Sequence, residues 1–120
     1  MGNFDGSKSL YLAFRTTFGI YHANNSSETN ANMPDYSDSR GLFINNRVVS
    51  TAMSLIRNNV KQTDNSLNSN ALSNLNIYIG GQNDGVGVRL PSNRECAFAS
   101  IGDGLTDTEA SNFYTTVQAF

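Results

Sequence analysis

The sequence predicts an all-β protein, an antiparallel β-sandwich closed by one short C-terminal α-helix. Short apolar or alternating segments recur along the chain, and turn-forming Gly and Asn residues separate them. A helical period follows a helix-start signal only near the C-terminus. Because a chain of 120 residues suits one hydrophobic core, we expect residues 1–120 to form a single domain.

The N-terminal third predicts two strands between polar segments. Residues 1–8 are rich in Gly and polar side chains and are predicted to be a lead-in. Strands are predicted at 9–15 and 17–22, joined at Arg15-Thr16, because aromatic and β-branched residues recur there with a period near two. Residues 23–40 are predicted to be a long polar loop, of a length that is usually functional or disordered.

The middle of the chain predicts a strand at 41–45 and a hairpin formed by strands 52–57 and 60–63. The hairpin has the two-residue turn Asn58-Asn59, because asparagine tolerates the left-handed backbone that such turns require. Residues 64–74 are predicted to be a second polar loop.

Three further strands are predicted at 75–81, 86–90 and 94–102, where apolar residues alternate with polar or small ones. A turn is predicted at Gln82–Gly85, where Asn, Asp and Gly cluster. Cys96 is the only cysteine and lies in an apolar stretch, so we expect it to be a small buried residue.

The C-terminal segment 106–120 predicts the helix. Thr106 and Glu109 have the spacing of a capping box, in which each side chain bonds a backbone N–H at the first turn. One apolar stripe with helical spacing then follows, formed by Ala110, Phe113, Tyr114 and Val117.

Three phrases in the sequence carry a family resemblance. They are Ser39-Arg40-Gly41-Leu42-Phe43-Ile44, Asn76-Ile77-Tyr78-Ile79-Gly80, and the continuous run Ser92-Asn93-Arg94-Glu95-Cys96-Ala97-Phe98-Ala99-Ser100-Ile101-Gly102-Asp103-Gly104-Leu105-Thr106-Asp107-Thr108-Glu109-Ala110. Together they resemble the C-terminal portion of concanavalin A-like, laminin G-like jelly-roll domains of phage structural proteins. The resemblance covers roughly residues 37–117 and is strongest in the last forty-odd.

The resemblance implies a non-enzymatic structural or adhesion module on a virion surface, tail or spike. The chain is shorter than a usual domain of this kind, which suggests a truncated sandwich with an open sheet edge. Since an open edge invites pairing with another chain, the expected partners are other virion proteins or further copies of this chain.

The composition of the chain limits the classes of ligand that it is expected to bind. Charged residues make up 15% of the chain, its net charge is −2, and Asn, Ser and Thr fill about a third of its positions. The eight basic residues are scattered, which disfavours nucleic acid, and no apolar run is long enough for a membrane span. A neutral polar surface suits a protein neighbour or a cell-surface glycan. The candidate glycan contacts are aromatic and amide side chains in or near the first polar loop: Tyr21, Asn24, Asn25 and Tyr36.

The sequence disfavours catalysis and leaves calcium binding undecided. A glycan depolymerase needs two carboxylates across one glycosidic bond, whereas Glu95 begins its predicted strand without a second acid at i+2 or i+4. A free lectin-like carbohydrate-binding module is the alternative function. Laminin G-like domains often hold calcium, for which the resemblance suggests oxygens of Asn83, Asp84 and Asp103, although a plain turn explains the same residues. No other cofactor is expected.

Overall fold

A computed structural model of the chain describes residues 2–5, 8–16, 19–26, 38 and 40–120. Within them the chain is rich in strands and ends in one helix, as the sequence predicts. The strands are β1 (Gly2–Asp5), β2 (Lys8–Thr16), β3 (Gly19–Ser26), β4 (Phe43–Val49), β5 (Ala52–Arg57), β6 (Val60–Asn65), β7 (Gln82–Asn83) and β8 (Val88–Arg89), and the helix is α1 (Asp107–Gln118).

The strands form two sheets. One has the order β3-β2-β1-β7-β8, and the other has the order β4-β5-β6. All neighbours are antiparallel except β1 and β7, which run parallel with Asn3 beside Asn83. The sheets meet where β3 lies against β4 and β5. The described residues therefore form a β-rich fold with one mixed and one antiparallel sheet. The sandwich with jelly-roll topology stays a prediction.

The described core centres on β5, the middle strand of the smaller sheet. Met53, Leu55 and Ile56 are each at most 4% exposed. Leu12 in β2 and Ala110 in α1 are the other buried apolar residues among those described. Strand β5 has a hydrogen-bonded strand on each side, and its four central residues are buried while Ala52 and Arg57 at its ends are half-buried.

The predicted hairpin between β5 and β6 is present. Arg57 pairs with Val60, so the turn has the two residues Asn58 and Asn59, and both have left-handed backbone with φ of 46° and 65°. Two left-handed residues are the signature of the turn that fits the twist of an antiparallel pair. Asn58 also donates its backbone N–H to the carbonyl of Leu42 (3.0 Å) and accepts the N–H of Leu42 at its side-chain oxygen (3.0 Å).

The predicted helix and its capping box are also present. Thr106 accepts the backbone N–H of Glu109 at its hydroxyl (3.3 Å), and the Glu109 carboxylate accepts the backbone N–H of Thr106 (2.8 Å). The backbone N–H and the hydroxyl of Thr106 both donate to the Glu109 carboxylate, and these two hydrogen bonds lower the pKa of Glu109. On the predicted stripe, Ala110 is 1% exposed and Phe113 is half-buried, with its ring centroid 5.9 Å from that of Phe98.

An asparagine amide joins the start of the helix to the smaller sheet. Asn46 in β4 is buried; its side chain accepts the backbone N–H of Leu105 (2.8 Å) and donates to the carbonyl of Leu105 (2.7 Å). The amide thus pairs with Leu105 as a neighbouring strand would. A Cβ at Gly104 would clash with the backbone carbonyl of Arg47, so a glycine is needed for this close approach.

A partly buried arginine ties β4 to the segment after β6. The Nη1 of Arg47 donates to the carbonyl of Leu67 (2.8 Å), and the carbonyls of Val49, Ser50 and Ala52 lie 3.1 to 3.4 Å from the same nitrogen. Its partial burial lowers the pKa of Arg47.

Three predictions at the N-terminal end need correction. Gly2–Asp5 is a strand rather than a lead-in, because its backbone pairs with β2 and β7. Asn3, although polar, is buried there and donates its amide to the carbonyl of Leu75 (2.9 Å). The predicted loop 23–40 begins later, since β3 continues to Ser26 through backbone pairing with β2. Thr16 pairs with Gly19, so the connection lies after Arg15-Thr16.

The predictions for residues 75–102 are mostly wrong. Neither 75–81 nor 94–102 is a strand, apart from a pair of backbone hydrogen bonds between Tyr78 and Gly2. The predicted strand 86–90 is reduced to the two residues of β8, and the predicted turn shifts from 82–85 to 84–87.

Cys96 is exposed rather than buried. Its thiol lies 3.2 Å from the carbonyl of Phe98. Within the described residues the segment 94–102 forms no strand, so no paired strand there shields Cys96, although Phe98 contacts Phe113 of α1 with ring centroids 5.9 Å apart.

Helix α1 has twelve residues, and no helix within the described ranges is long and apolar enough to cross a lipid bilayer.

Candidate functional site

The most distinctive surface among the described residues is apolar and lies at the β8 edge of the larger sheet. We call it the β8 surface and define it by Ile79, Val86, Val88 and Leu90. Their side chains are 62%, 96%, 60% and 66% exposed. Ile79 and Val88 line one groove, Val86 lies in the turn before β8, and Leu90 follows β8. Single exposed apolar residues are common on proteins, whereas several in one short segment favour a contact surface.

A shallow groove of about 460 Å³ adjoins this surface. It is lined by residues 77–81 and by Val88 of the facing strand. The side chain of Val88 lies so close to Gly81 that a Cβ there would contact it, so the groove floor depends on glycine. The groove is lined by Ile77, Ile79, Val88, one tyrosine and two glycines, and this uncharged lining favours an apolar contact over a charged ligand.

The backbone beside the groove is fixed by polar residues that the sequence predicts as calcium ligands. Asn83 is buried, donates to the carbonyl of Asn76 (2.9 Å), and accepts the N–H of Gly85 at its side-chain oxygen (3.0 Å). This asparagine therefore fixes the turn between β7 and β8 from inside the protein.

Asp84 stabilises the same turn. One carboxylate oxygen accepts the N–H of Gly87 (2.9 Å) and that of Val86 (3.0 Å), and these bonds lower the pKa of Asp84. Its other oxygen lies 3.6 Å from Nε of Arg89 in β8. The charge of Arg89 is therefore balanced at the edge of the sheet.

The three predicted calcium ligands do not form a shared site in the contacts described. Asn83 and Asp84 are adjacent and serve the turn, whereas Asp103 lies on the exposed segment before α1. In the described ranges, no group of three or more His, Cys, Asp or Glu side chains could hold a metal ion. Calcium binding by these residues stays a prediction.

The predicted glycan contacts fall where side chains are not described. Tyr21, Asn24 and Asn25 lie in β3, where the structure describes only the backbone, and Tyr36 lies outside the described residues. Glycan binding by these four residues stays a prediction.

A second, smaller pocket of about 180 Å³ lies at the start of α1 and is lined in part by Asn46, Lys61 and Thr106. The Nζ of Lys61 lies 2.9 Å from one carboxylate oxygen of Asp107 and 3.1 Å from the other. Both groups are exposed, and such pairs contribute little to stability. This ion pair links β6 to the helix and gives the pocket no net charge.

The charged residues next to β4 are also engaged with one another. Nε of Arg40 donates to the carboxylate of Asp38 (3.0 Å), which lowers the pKa of Asp38 and raises that of Arg40. Arg57 donates to the backbone carbonyls of both residues (3.0 Å) and lies over the ring of Phe43, 5.4 Å from its centroid. This cluster stabilises the approach to β4.

Sequence reasoning placed the residues of the β8 surface in alternating strands and did not predict that their side chains are exposed. Exposure of an alternating apolar segment depends on whether another strand or layer covers it, and no local sequence signal reports that. The nearest prediction of this exposure was the open sheet edge, which we expected because the chain is short.

No protein-family model, curated protein or solved structure matches this chain. The resemblance to phage structural domains therefore rests on the three sequence phrases alone.

Proposed function

We propose that the chain is a non-enzymatic structural module of a phage virion, where it assembles with other protein chains through the β8 surface. The observation that carries this proposal is the set of exposed apolar side chains on and beside β8, the last strand of the larger sheet among the described residues. Monomeric proteins rarely leave large contiguous apolar areas exposed, and edge strands offer unpaired backbone groups to a neighbour.

The segment around this surface supports the same role. Every residue from Gly85 to Gly104 is exposed, and Phe98 and Ile101 are 48% and 68% exposed. The sequence pattern of this segment favours strands, and a neighbouring chain would supply the strand or layer that is missing. We propose that the sandwich predicted from the sequence is completed in the assembly by such neighbours.

The virion location rests on the family resemblance and is tested on particles. Phage particles are purified from the system that encodes the chain, washed at high salt, and analysed by mass spectrometry and by labelling with an antibody against the chain. Stoichiometric recovery with washed particles, together with labelling of a tail, spike or capsid surface, is the expected result. Recovery only in the particle-free fraction would overturn the proposal.

A further inference from the structure

We propose that Asp103-Gly104 is a self-modifying site, at which aspartate isomerises to isoaspartate without an enzyme, and that this change weakens the attachment of helix α1 to strand β4. The sequence contains three Asp-Gly pairs: Asp5-Gly6, Asp84-Gly85 and Asp103-Gly104. Gly6 lies outside the described residues. The other two pairs are described, and their surroundings differ in the features that control this reaction.

The reaction uses only atoms of the chain and water. The backbone nitrogen of the glycine attacks Cγ of the aspartate, an N–C bond forms, and the N–H proton leaves with the hydroxyl of the protonated carboxyl group as water. Water then opens the cyclic imide. Opening at the former backbone carbonyl gives isoaspartate, in which the main chain runs through the side chain, and opening at the side-chain carbonyl restores aspartate. A following glycine favours ring closure because it has no side chain to obstruct the approach.

The pair Asp84-Gly85 is held in a conformation that opposes ring closure. Its nucleophile is engaged, since the N–H of Gly85 donates to the side-chain oxygen of Asn83 (3.0 Å). The carboxylate of Asp84 accepts the N–H groups of Gly87 (2.9 Å) and Val86 (3.0 Å). These bonds also lower the pKa of Asp84 and keep its carboxyl group ionised, whereas ring closure needs it protonated. Asp84 must therefore lose these bonds before it can react.

The pair Asp103-Gly104 is open to the same reaction. Both residues are exposed. Ring closure requires rotation about the backbone and side-chain bonds of Asp103, and among the described residues no hydrogen bond engages its carboxylate or the N–H of Gly104. A Cβ at the preceding Gly102 would meet nothing within 4 Å, so the chain before the site is uncrowded. Rotation at Asp103 therefore meets less resistance than rotation at Asp84.

The consequence for the fold follows from the contacts directly after the site. Leu105 exchanges two hydrogen bonds with the side-chain amide of Asn46 in β4 (2.8 and 2.7 Å). Gly104 passes so close to the carbonyl of Arg47 that it leaves no room for a Cβ. Isoaspartate at position 103 lengthens the main chain by one carbon and redirects it immediately before these contacts. We therefore expect the pairing with Asn46 to weaken and α1 to be held less firmly on the smaller sheet.

The test of the site compares the two Asp-Gly pairs within one molecule. The full chain is aged at mildly acidic pH and physiological temperature, with folding checked by circular dichroism. Isoaspartate is followed by peptide mapping, with mass-spectrometric fragmentation that distinguishes it from aspartate. In the folded chain it is expected to accumulate several-fold faster at Asp103 than at Asp84. In concentrated urea the two rates are expected to become similar, because the hydrogen bonds around Asp84-Gly85 are lost.

Two results would overturn the assignment of the site. One is an equal rate at Asp103 and Asp84 in the folded chain, including no modification at either residue. The other is a difference that persists undiminished in urea, since it would then come from the neighbouring sequence and not from the fold.

Asp103→Glu tests the effect on the helix. Glutamate keeps the charge but cyclises much more slowly, because its longer side chain must form a larger ring. Wild type and variant are aged together, and their melting temperatures are compared with those of fresh samples. The melting temperature of the wild type is expected to fall as isoaspartate accumulates, while that of Asp103→Glu stays constant.

Asn46→Ala shows whether the loss acts through the amide. In this variant the pairing with Leu105 is already absent, so ageing is expected to lower its melting temperature less than that of the wild type. A wild type that accumulates isoaspartate at Asp103 and keeps its melting temperature would overturn the coupling to α1. An equal fall in Asp103→Glu, or an equal fall in Asn46→Ala, would overturn it as well.

Discussion

Strand β5 of the smaller sheet and the segment 66–104 contain similar aliphatic side chains but bury them very differently. Leu55 in β5 is 0% exposed, whereas Leu72 and Val86 in the other segment are 72% and 96% exposed. β5 has a strand on each side, while β8 has one neighbour and most of 66–104 has none. Among the described residues, the buried apolar side chains lie in paired strands or in the helix, where the backbone is hydrogen-bonded to neighbouring segments or turns.

The two regions also use polar residues differently. In the smaller sheet, the Asn58-Asn59 turn and the amide of Asn46 hold strands and helix in place. In the second region, Asn3 and Asn83 bind the consecutive carbonyls of Leu75 and Asn76 and so tether an otherwise irregular backbone. Asparagine amides replace regular pairing there, which fixes the chain without covering its apolar side chains.

The largest effect expected from this comparison is on stability. Leu55→Ala should lower the free energy of unfolding by about 2–5 kcal/mol, because it leaves a cavity in the core. Leu72→Ala, the same change at a 72% exposed position, should alter it by less than about 0.5 kcal/mol. Urea unfolding of the two variants and the wild type measures both values. Similar losses for the two variants would show that 66–104 is buried in solution.

The same contrast explains which parts of the fold could be predicted. The turn at Asn58-Asn59 and the capping box of Thr106 and Glu109 are determined by a few adjacent residues, so their sequence signals were sufficient. Strand β5 was predicted with its observed bounds because four of its six residues are apolar, which matches the burial of its central positions.

The strands predicted in 75–102 failed for a physical reason. Alternation shows that a segment is able to form a strand, but the partner strand is supplied by tertiary structure. Strand β1 was missed for the opposite reason, since Asn3 is polar yet buried, and hydrophobic patterns do not report buried amides. The residues of the β8 surface were identified from alternation, while their exposure followed only from the coordinates.

The second largest effect concerns the amide that joins the helix to the sheet. Asn46→Ala should destabilise the fold by about 1–3 kcal/mol, since Asn46 is buried and both backbone groups of Leu105 lose their partner. Asn93→Ala, at an exposed position in the second region, is the matched control and should be near neutral. Thermal unfolding of both variants checks this, and a neutral Asn46→Ala would mean that α1 docks without the amide.

The helix cap should have a smaller effect. Thr106→Ala should cost about 1 kcal/mol, because it removes the hydroxyl that accepts the N–H of Glu109. Chemical denaturation of the variant gives this value directly.

The capping carboxylate should also make stability depend on pH. Hydrogen bonds from Thr106 lower the pKa of Glu109 in the folded state. Its contribution is therefore present above the ordinary value of 4.5 and is lost as pH falls through the lowered folded pKa. The stability advantage of the wild type over Glu109→Gln should shrink on acidification, as followed by melting temperature across that range. An advantage that grows towards low pH would exclude this role of the carboxylate.

The smallest expected effect concerns the hairpin turn, whose backbone conformation depends on the turn residues themselves rather than on residues distant in the sequence. Asn59 has φ of 65°, a conformation that glycine adopts freely and alanine does not. Asn59→Gly should therefore change stability by only a few tenths of a kcal/mol and in the stabilising direction, because Asn-Gly is a preferred turn pair. Asn59→Ala should instead destabilise by about 1 kcal/mol through left-handed strain. Urea unfolding resolves the difference between these two variants even if each shift is small. If alanine proves as stable as glycine, the turn has relaxed to a right-handed form, and the register between Arg57 and Val60 would have to come from packing of β5 rather than from the turn.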